Sequence, residues 1–296
     1  MIPILSAVLP VATIVAIGIW AGKTLSFDID TLSRLILYVL FPVLITDSLY
    51  RTTLSVDNIL GLAIGTTLTY FLLCAIAWKL GKSSGLSTDA RKSFLATTAF
   101  PNAGNMGLPV TFFALGDAGL ERGIVYMIIS SIVVNTTGPA FCRGGEFWAT
   151  AGFVLKLPLA WSIIIGLLLH FAKVELPLNL DESLHLLAQA AIPVALIVLG
   201  LQIANHRLQP TPYEGYASMM RLLGGAAIAY AVGKAIGLAE LDFQVLVLQS
   251  AMPAAVSSFL MVKEFGGDAP RTAKVVVVST LLAFGSLPLV LWILGV

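Results

Sequence analysis

The chain has 296 residues, of which 58% are hydrophobic and only 11% are charged, and its formal net charge is +1. A water-soluble domain of this size cannot hide so much apolar surface, so the composition excludes a soluble enzyme, a disordered chain and a secreted disulfide scaffold. The balanced charge, with no basic tract, excludes a nucleic-acid-binding protein. Long continuous apolar runs, without the alternation of a β-barrel, predict an all-α integral membrane protein.

Apolar runs bounded by charged residues, Gly and Pro predict ten transmembrane helices, called spans 1 to 10. In chain order, the spans cover residues 2–21, 32–50, 58–79, 91–116, 121–142, 153–172, 182–204, 216–236, 242–265 and 271–295. Residues 1–22 contain no Lys or Arg, so span 1 lacks the basic start of a secretory signal and is predicted to be retained. Cys74 and Cys142 lie in apolar runs and form no motif, so no metal site or cofactor is predicted.

Lys and Arg are unevenly distributed between the two sides of the predicted membrane. The loops and helix ends after spans 1, 3, 5, 7 and 9 carry thirteen of the 17 basic residues, and Arg221 near the start of span 8 is counted among them. The opposite side carries Arg51, Arg122, Lys173 and Lys234. Because cytoplasmic loops are enriched in Lys and Arg, the thirteen-residue side is predicted to be cytoplasmic. Both termini are then periplasmic in a bacterial inner membrane.

The two halves of the sequence repeat each other. Residues 77–86 and 229–238 are identical at five of ten positions with an offset of 152. Further matches near this offset are Pro42 with Pro193, Pro101 with Pro253, Asp117 with Asp268, Ser130 with Ser279 and Pro139 with Pro288. Each repeat contains five spans, an odd number, so the second copy is predicted to be inverted. The predicted repeats are residues 1–146 and 147–296, and inverted repeats are typical of secondary transporters.

Two spans carry helix-breaking residues near the membrane centre. Span 4 contains Pro101, Asn102, Gly104, Asn105 and Pro109, and its Pro101 lies ten residues, about 15 Å of helix, beyond Arg91. Span 9 contains Pro253 at a similar depth, followed by Ser257 and Ser258 and preceded by Gln249. Unwound backbone survives in a membrane only inside protein or beside a wet cavity, so the two breaks are predicted to cross.

The predicted crossing has the chemistry of an anion site. The second half of each broken helix directs its N-terminus, with free N–H groups and a positive dipole end, at the crossing. No Lys or Arg is predicted at the midplane, so amides, hydroxyls and backbone N–H groups are expected to hold a carboxylate. The predicted substrate-binding residues are Pro101, Asn102, Gly104, Asn105, Gln249, Pro253, Ser257 and Ser258. The alternative is that Pro and Gly only kink packed helices, as is common in membranes.

Asp47 and Arg51 are four residues apart and share one face of span 2. An acid inside a span is a candidate functional residue, here for coupling transport to protons, and the alternative is an interfacial ion pair. His170, His185 and His206 are interpreted as interfacial side chains, and Gln189 as interhelical hydrogen bonding. No zinc-protease, serine-hydrolase or phosphate-loop motif is present, so the chain is not predicted to be an enzyme.

The segment from Pro101 to Pro109, in the fourth of ten spans, resembles the auxin efflux carrier family. The start of span 6 at residues 155–159 and the region around Pro253 extend the resemblance over nearly the whole chain. The family includes bacterial permeases for malate- or malonate-like acids and plant auxin transporters, which have an acidic/basic pair similar to Asp47 and Arg51. The resemblance implies that Pro101, Asn102, Asn105 and Pro253 are site residues.

The resemblance also implies an elevator mechanism, with spans 1, 2, 6 and 7 as scaffold and spans 3–5 and 8–10 as transport domain. We therefore predict a secondary transporter for a small organic anion, in contact with lipid and with H⁺ preferred over Na⁺ as a coupling ion. A homodimer formed through scaffold helices is one possible assembly. A sodium-coupled bile-acid-type symporter, a passive anion channel and a membrane sensor stay open as alternatives, as do the substrate and the direction of flux.

Overall fold

The computed structural model describes residues 2–143, 158–205 and 211–296. Over these ranges, the regular structure is helical, with thirteen α-helices and three π-helical turns. The α-helices are α1 (Ile2–Thr24), α2 (Ile29–Leu35), α3 (Phe41–Tyr50), α4 (Val56–Ser83), α5 (Thr88–Ala99), α6 (Leu108–Arg143), α7 (Pro158–Phe171), α8 (Leu180–Ala204), α9 (Pro212–Met219), α10 (Gly225–Ala235), α11 (Glu240–Ser250), α12 (Val256–Phe265) and α13 (Ala269–Leu294). The π turns are Ile36–Leu40, Ala103–Gly107 and Met220–Gly224. The predicted all-α class is confirmed for the described residues.

Six helical segments of the described residues are long and apolar enough to cross a membrane. They are Ile4–Thr24, Ile29–Tyr50, Val56–Ser83, Ala103–Phe141, Leu180–Ala204 and Ala269–Leu294. The remaining predicted spans correspond to shorter elements. Spans 4 and 9 are interrupted, span 8 is divided by a π turn, and span 6 begins outside the described residues, with α7 as its described part. The structure thus supports a polytopic membrane protein without establishing ten spans.

The predicted boundary between spans 4 and 5 lies inside the long helix α6. Gly116 has φ 65° and ψ −163°, which divides α6 into two helical segments without an intervening loop. A side chain at this φ would be strained, so glycine allows the chain to turn here within a single residue. Residues 143–157, which contain the predicted boundary between the repeats, lie almost entirely outside the described residues.

The repeated segment forms the same helix cap in both copies. Gly85 and Gly237 have φ values of 66° and 67° and follow α4 and α10. The N–H of Leu86 donates to the carbonyl of Gly81 at 3.2 Å, and the N–H of Leu238 donates to Gly233 at 3.1 Å. This arrangement is a glycine C-cap of the Schellman type. The sequence repeat therefore coincides with a repeat of local structure.

Helices α1, α3, α7 and α8 pack closely through small residues. A Cβ atom on Gly18 of α1 would lie 2.4 Å from the carbonyl oxygen of Ile197, and one on Gly200 of α8 would lie 2.3 Å from that of Val15. Gly166 of α7 approaches Thr46 of α3 in the same way. Small residues allow membrane helices to approach to backbone contact, which maximises van der Waals packing. These four helices are the ones that the resemblance assigns to a scaffold.

Candidate functional site

The first interruption lies between α5 and the π turn Ala103–Gly107. Phe100 is extended, with φ −100° and ψ 98°, and Asn102 has φ −77° and ψ 62°. Pro101 lies between them and has no N–H to donate to the preceding turn. A helical chain resumes at Ala103 and continues into α6. The expected break in span 4 is therefore present and occupies residues 100–102.

The second interruption separates α11 from α12 and covers residues 251–255. Its last residue, Ala255, is extended, with φ −74° and ψ 149°, and forms the N-cap of α12. The expected break in span 9 is thus also present. Its flanking helices have 11 and 10 residues, which explains why this span does not reach the length of a continuous membrane helix.

The two interruptions contact each other through a reciprocal pair of backbone hydrogen bonds. The N–H of Asn102 donates to the carbonyl of Pro253 at 2.8 Å, and the N–H of Ala255 donates to the carbonyl of Phe100 at 2.9 Å. Pro101 and Ala254 form an isolated antiparallel bridge between them. The two bonds are related by a local two-fold symmetry, because Phe100 and Asn102 correspond to Pro253 and Ala255 at an offset of 153 residues. This offset differs by one residue from the offset of 152 between the sequence repeats.

The N-terminal ends of two helical segments therefore lie at the crossing. One begins at Ala103 and leads into α6, and the other is α12, which begins at Val256. The side chain of Asn102 is 5% exposed, and its Nδ2 has no hydrogen-bond partner among the described residues. An unpaired buried amide is costly, so an unpaired donor beside two helix N-termini indicates a place for a hydrogen-bonding ligand.

The other predicted site residues lie in different surroundings. Gly104 and Asn105 are half-buried, and a Cβ atom on Gly104 would lie 2.9 Å from the ring of Phe41 in α3. Ser258 is fully buried, and its hydroxyl donates to the carbonyl of Ala255 at 2.6 Å. Ser257 is exposed on the other face of α12. The two serines thus diverge, and the Ser258 hydroxyl is already engaged in its own helix.

Gln249 is fully buried between the two broken helices. Its Nε2 donates to the hydroxyl of Thr111 at 3.2 Å, and its Oε1 has no partner among the described residues. The amide fits against Gly107 and Gly123, where Cβ atoms would lie 2.1 Å from Oε1 and 2.9 Å from Nε2, respectively. Gln249 therefore links the end of α11 to the first part of α6, directly beside the crossing.

Arg221 corrects the expectation that no basic residue lies at the crossing. The sequence places it near the cytoplasmic end of span 8, but its side chain is 0% exposed. The guanidinium donates to the backbone carbonyls of Thr98 and Ser250, the last turns of α5 and α11. Arg221 lies in the π turn Met220–Gly224, and its side chain is buried inside the protein. It should therefore not be counted among the loop Lys and Arg residues that predict the cytoplasmic side.

Asp47 and Arg51 form the predicted pair, within a larger cluster. The Asp47 carboxylate is 8% exposed and accepts hydrogen bonds from Arg51 Nε at 3.0 Å and His185 Nδ1 at 2.9 Å. Gln189 contacts His185 Nε2 at 2.9 Å, and Arg51 also approaches Asp181. Sequence reasoning missed His185, although its spacing of four residues from Gln189 places both on one face of α8.

Asp242 is also a buried acid. Asp242, in the first turn of α11, is 2% exposed. Its carboxylate accepts hydrogen bonds from Arg122 of α6 and, at 2.7 Å, from Asn58 of α4. Three helices are joined at this point. The full pairing of the carboxylate gives Asp242 a structural role in holding α4, α6 and α11 together.

Two surface cavities lie away from the crossing. A groove of about 590 Å³ follows the apolar outer face of α1 from Leu5 to Ile14, and a cleft of about 200 Å³ lies between Gly22 and Asn205. Neither cavity is lined by a crossing residue. Asn102, Gln249 and Arg221 are buried, whereas Pro101, Gly104 and Asn105 are half-buried.

Most of the chain is similar in sequence to known proteins. The sequence model of a family described as "Membrane transport protein" matches residues 3–139 and 154–293. An "Uncharacterized transporter" of Methanothermobacter thermautotrophicus is 28% identical over 267 residues, which cover 88% of each chain. A "Putative malonate transporter" of Rhizobium meliloti is 25% identical over 278 residues, covering 89% of this chain and 86% of the relative. A rice "Probable auxin efflux carrier component 1b" is 26% identical over 122 residues, 38% of this chain and 22% of the relative.

Proposed function

This chain belongs to the membrane transport protein family, which includes the auxin efflux carriers, and from that premise we propose that it is a secondary carrier for a small organic anion. The observation that carries the proposal is the contact between the two interrupted helices. It places the unpaired Nδ2 of Asn102 beside two helix N-termini. Discontinuous helices in membrane carriers use such N-termini to bind anionic substrate groups.

The proposed topology is ten transmembrane helices in two inverted five-helix repeats. The six long apolar segments supply six spans, or seven if Ala103–Phe141 is divided at Gly116. The matching glycine caps at Gly85 and Gly237 and the two-fold bonds of the crossing support a duplication. The proposed location is a bacterial inner membrane with both termini periplasmic, which agrees with the distribution of the remaining Lys and Arg residues.

The proposed mechanism is elevator-type alternating access between a scaffold and a transport domain. The scaffold consists of α1, α2–α3, α7 and α8, which pack through Gly18, Gly166 and Gly200. The crossing belongs to the transport domain and faces the scaffold, because Gly104 packs against Phe41 and the π turn Ala103–Gly107 contacts α8. A site at such an interface can be exposed to either side when one domain slides along the other.

The proposed substrate class is a small mono- or dicarboxylate. Asn102 and Asn105 supply amide donors, and the two helix N-termini together supply about one positive charge, because each contributes roughly half an elementary charge. The name of the Rhizobium relative makes malonate the first compound to test. Gln249, with its free Oε1, is proposed to orient a hydroxyl or a protonated carboxyl group. No cofactor is proposed.

The proposal is tested with purified protein in two steps. A thermal-shift screen against a series of mono- and dicarboxylates identifies the anion that stabilises the folded state most. The same anion, radiolabelled, is then offered to proteoliposomes that are empty or preloaded with the unlabelled compound. A carrier gives saturable uptake that is accelerated by the internal anion. Uptake without acceleration or saturation would indicate a channel and contradict the proposal.

A proton-coupling role is proposed for Asp47 and Arg51, with His185 as their partner. The cluster lies at one end of α3 and α8, both in the proposed scaffold, and its carboxylate is buried while the imidazole is half-exposed. A buried carboxylate in contact with an accessible imidazole has a route for proton exchange with water. Proton coupling is therefore preferred over sodium coupling in this proposal.

A further inference from the structure

Each interruption at the crossing leaves backbone carbonyls without their helical donors, and those of Thr98 and Ser250 are two of them. In an unbroken helix, the carbonyl of Thr98 would accept from the N–H of residue 102, and that of Ser250 would accept from the N–H of residue 254. The N–H of Asn102 donates instead to Pro253, and the N–H of Ala254 donates to the hydroxyl of Ser279 at 3.1 Å. The two freed carbonyls are equivalent positions of the repeat, 152 residues apart.

The guanidinium of Arg221 bridges these two carbonyls. One terminal nitrogen donates to Thr98 and the other to Ser250. The neighbouring Gly225 leaves room for this contact, since a Cβ atom there would lie 2.2 Å from the Ser250 oxygen and 2.5 Å from the guanidinium. A single cation thus joins the C-terminal ends of α5 and α11, where each helix dipole carries about half a negative charge.

No carboxylate pairs with this buried charge among the described residues. The salt bridges of that part of the chain do not include Arg221, and its Nε has no hydrogen-bond partner there. The titratable groups that interact with it electrostatically are Tyr126 and Cys74, both ordinarily neutral at pH 7. Among the described residues, its charge is therefore balanced by the two helix ends.

In carriers with discontinuous membrane helices, unwound carbonyls and half-helix C-terminal ends are the groups that coordinate a coupling cation such as Na⁺. Here the same groups hold a side chain. We infer that Arg221 is a built-in cation, which occupies the position where a carrier of this architecture would otherwise bind a cation from solution. Its positive charge cancels the two C-terminal dipoles and leaves the two N-terminal dipoles to attract the anion.

The two repeats differ at this position. At the offset of 152, the counterpart of Arg221 is Thr69 in α4, a buried residue whose hydroxyl has no partner among the described residues. The guanidinium of Arg221 therefore binds both symmetry-related carbonyls, those of Thr98 and Ser250. Thr69, at the equivalent position of the other repeat, is uncharged. Thr69 consequently offers a matched control, a buried polar residue at the equivalent place without the proposed role.

This inference extends the proposed function, but its test does not use the transported anion. The thermal unfolding of wild-type, Arg221→Ala, Arg221→Lys and Thr69→Ala proteins is measured in detergent in choline chloride, NaCl and methylguanidinium chloride. Wild type is expected to unfold at the same temperature in all three salts. Arg221→Ala is expected to unfold at least ~5 °C lower in choline, because two charge-assisted hydrogen bonds are lost. Na⁺ or methylguanidinium should restore most of that loss in a saturable manner.

The control variants separate a charge effect from general loosening. Arg221→Lys keeps the charge and should respond to none of the salts, and Thr69→Ala should behave as wild type does. The inference is overturned if Arg221→Ala gains no more stability from added cations than Arg221→Lys gains. It is also overturned if Na⁺ stabilises wild type relative to choline, a comparison that requires no variant to fold. A protein that transported no carboxylate would leave all these results unchanged.

Discussion

The Oε1 atom of Gln249 lies 2.1 Å from the position that a Cβ atom of residue 107 would occupy. The Gln249 amide therefore fills the space beside Gly107, and no side chain fits at residue 107. This contact joins the two interrupted helices one turn from their crossing. Gln249 belongs to α11, and Gly107 belongs to the π turn that leads into α6. The relative position of the two helices therefore depends on a glycine and an amide that fit each other.

A Gly107→Ala substitution is expected to destabilise the protein by about 1–3 kcal/mol, as overpacking of a filled interior usually does. The Gln249→Ala change removes the conflicting atoms, so the double variant Gly107→Ala/Gln249→Ala should be more stable than the sum of the single effects predicts. Thermal unfolding of the four proteins measures this coupling. Simple additivity of the two changes would show that the contact does not hold the helices in place.

Asn102→Ala and Asn105→Ala are expected to abolish transport of the stabilising carboxylate, because each removes an amide donor from the proposed anion site. Expression and unfolding temperature should stay close to wild type, since the Asn102 Nδ2 makes no hydrogen bond to the described protein. Leu260→Ala, on the exposed face of α12 and outside the predicted site, is the control and should transport as wild type does. Full uptake by both asparagine variants in proteoliposomes would exclude the crossing as the substrate site.

Ala255→Pro is expected to weaken the crossing without straining the backbone. Ala255 has φ −74°, which lies within the range of proline, but its N–H donates to Phe100. Loss of this buried bond should cost about 1 kcal/mol, or more if the Phe100 carbonyl is left unpaired. The exposed residue Leu260 on the same helix provides a control through Leu260→Ala. Transport rate and unfolding temperature should fall together in Ala255→Pro and remain unchanged in the control.

The interruptions themselves could be predicted from the sequence, whereas Arg221 and His185 could not. Pro101, Asn102 and Gly104 lie within four residues and disfavour a regular helix in any surroundings. The local sequence is therefore sufficient to predict the interruption of span 4. The position of Arg221 depends on a π turn and on contacts with two helices distant in the sequence. The pair Gly224–Gly225, three and four residues after Arg221, is a local sign that a large side chain or backbone approaches there.

The scaffold contacts were likewise only partly predictable. Gly18, Gly166 and Gly200 lie in apolar spans where a glycine is common, and nothing in the sequence pairs them. The cluster around Asp47 was half predicted, because Arg51 is its neighbour within one helix while His185 lies 138 residues away. Interactions inside a helix follow from spacing, but interactions between helices require the fold.

Glu214 is expected to make stability sensitive to acid at the start of α9. Its side chain is buried, which acts to raise its pKa, but hydrogen bonds from the hydroxyl and the N–H of Thr211 outweigh that effect, and the pKa lies below its ordinary value of 4.5. The stabilisation is therefore present above that ordinary value and is lost as the pH falls through the lowered one. Glu214→Gln should lower the unfolding temperature at pH 7 and show less further loss on acidification than wild type. Equal acid sensitivity of the two proteins would contradict this role.

Substitutions of Asp47 and His185 distinguish proton coupling from a static ion pair. Asp47→Asn removes the charge that Arg51 Nε and His185 Nδ1 share, at 3.0 and 2.9 Å. If the cluster exchanges protons during transport, this variant should lose the pH dependence of uptake, and a pH gradient should no longer drive accumulation. His185→Gln retains a hydrogen-bond donor to Asp47 without a titratable ring, so it should flatten the pH profile with little effect on the unfolding temperature. If both variants keep the wild-type pH profile while their unfolding temperatures fall, the cluster only fastens α3 to α8.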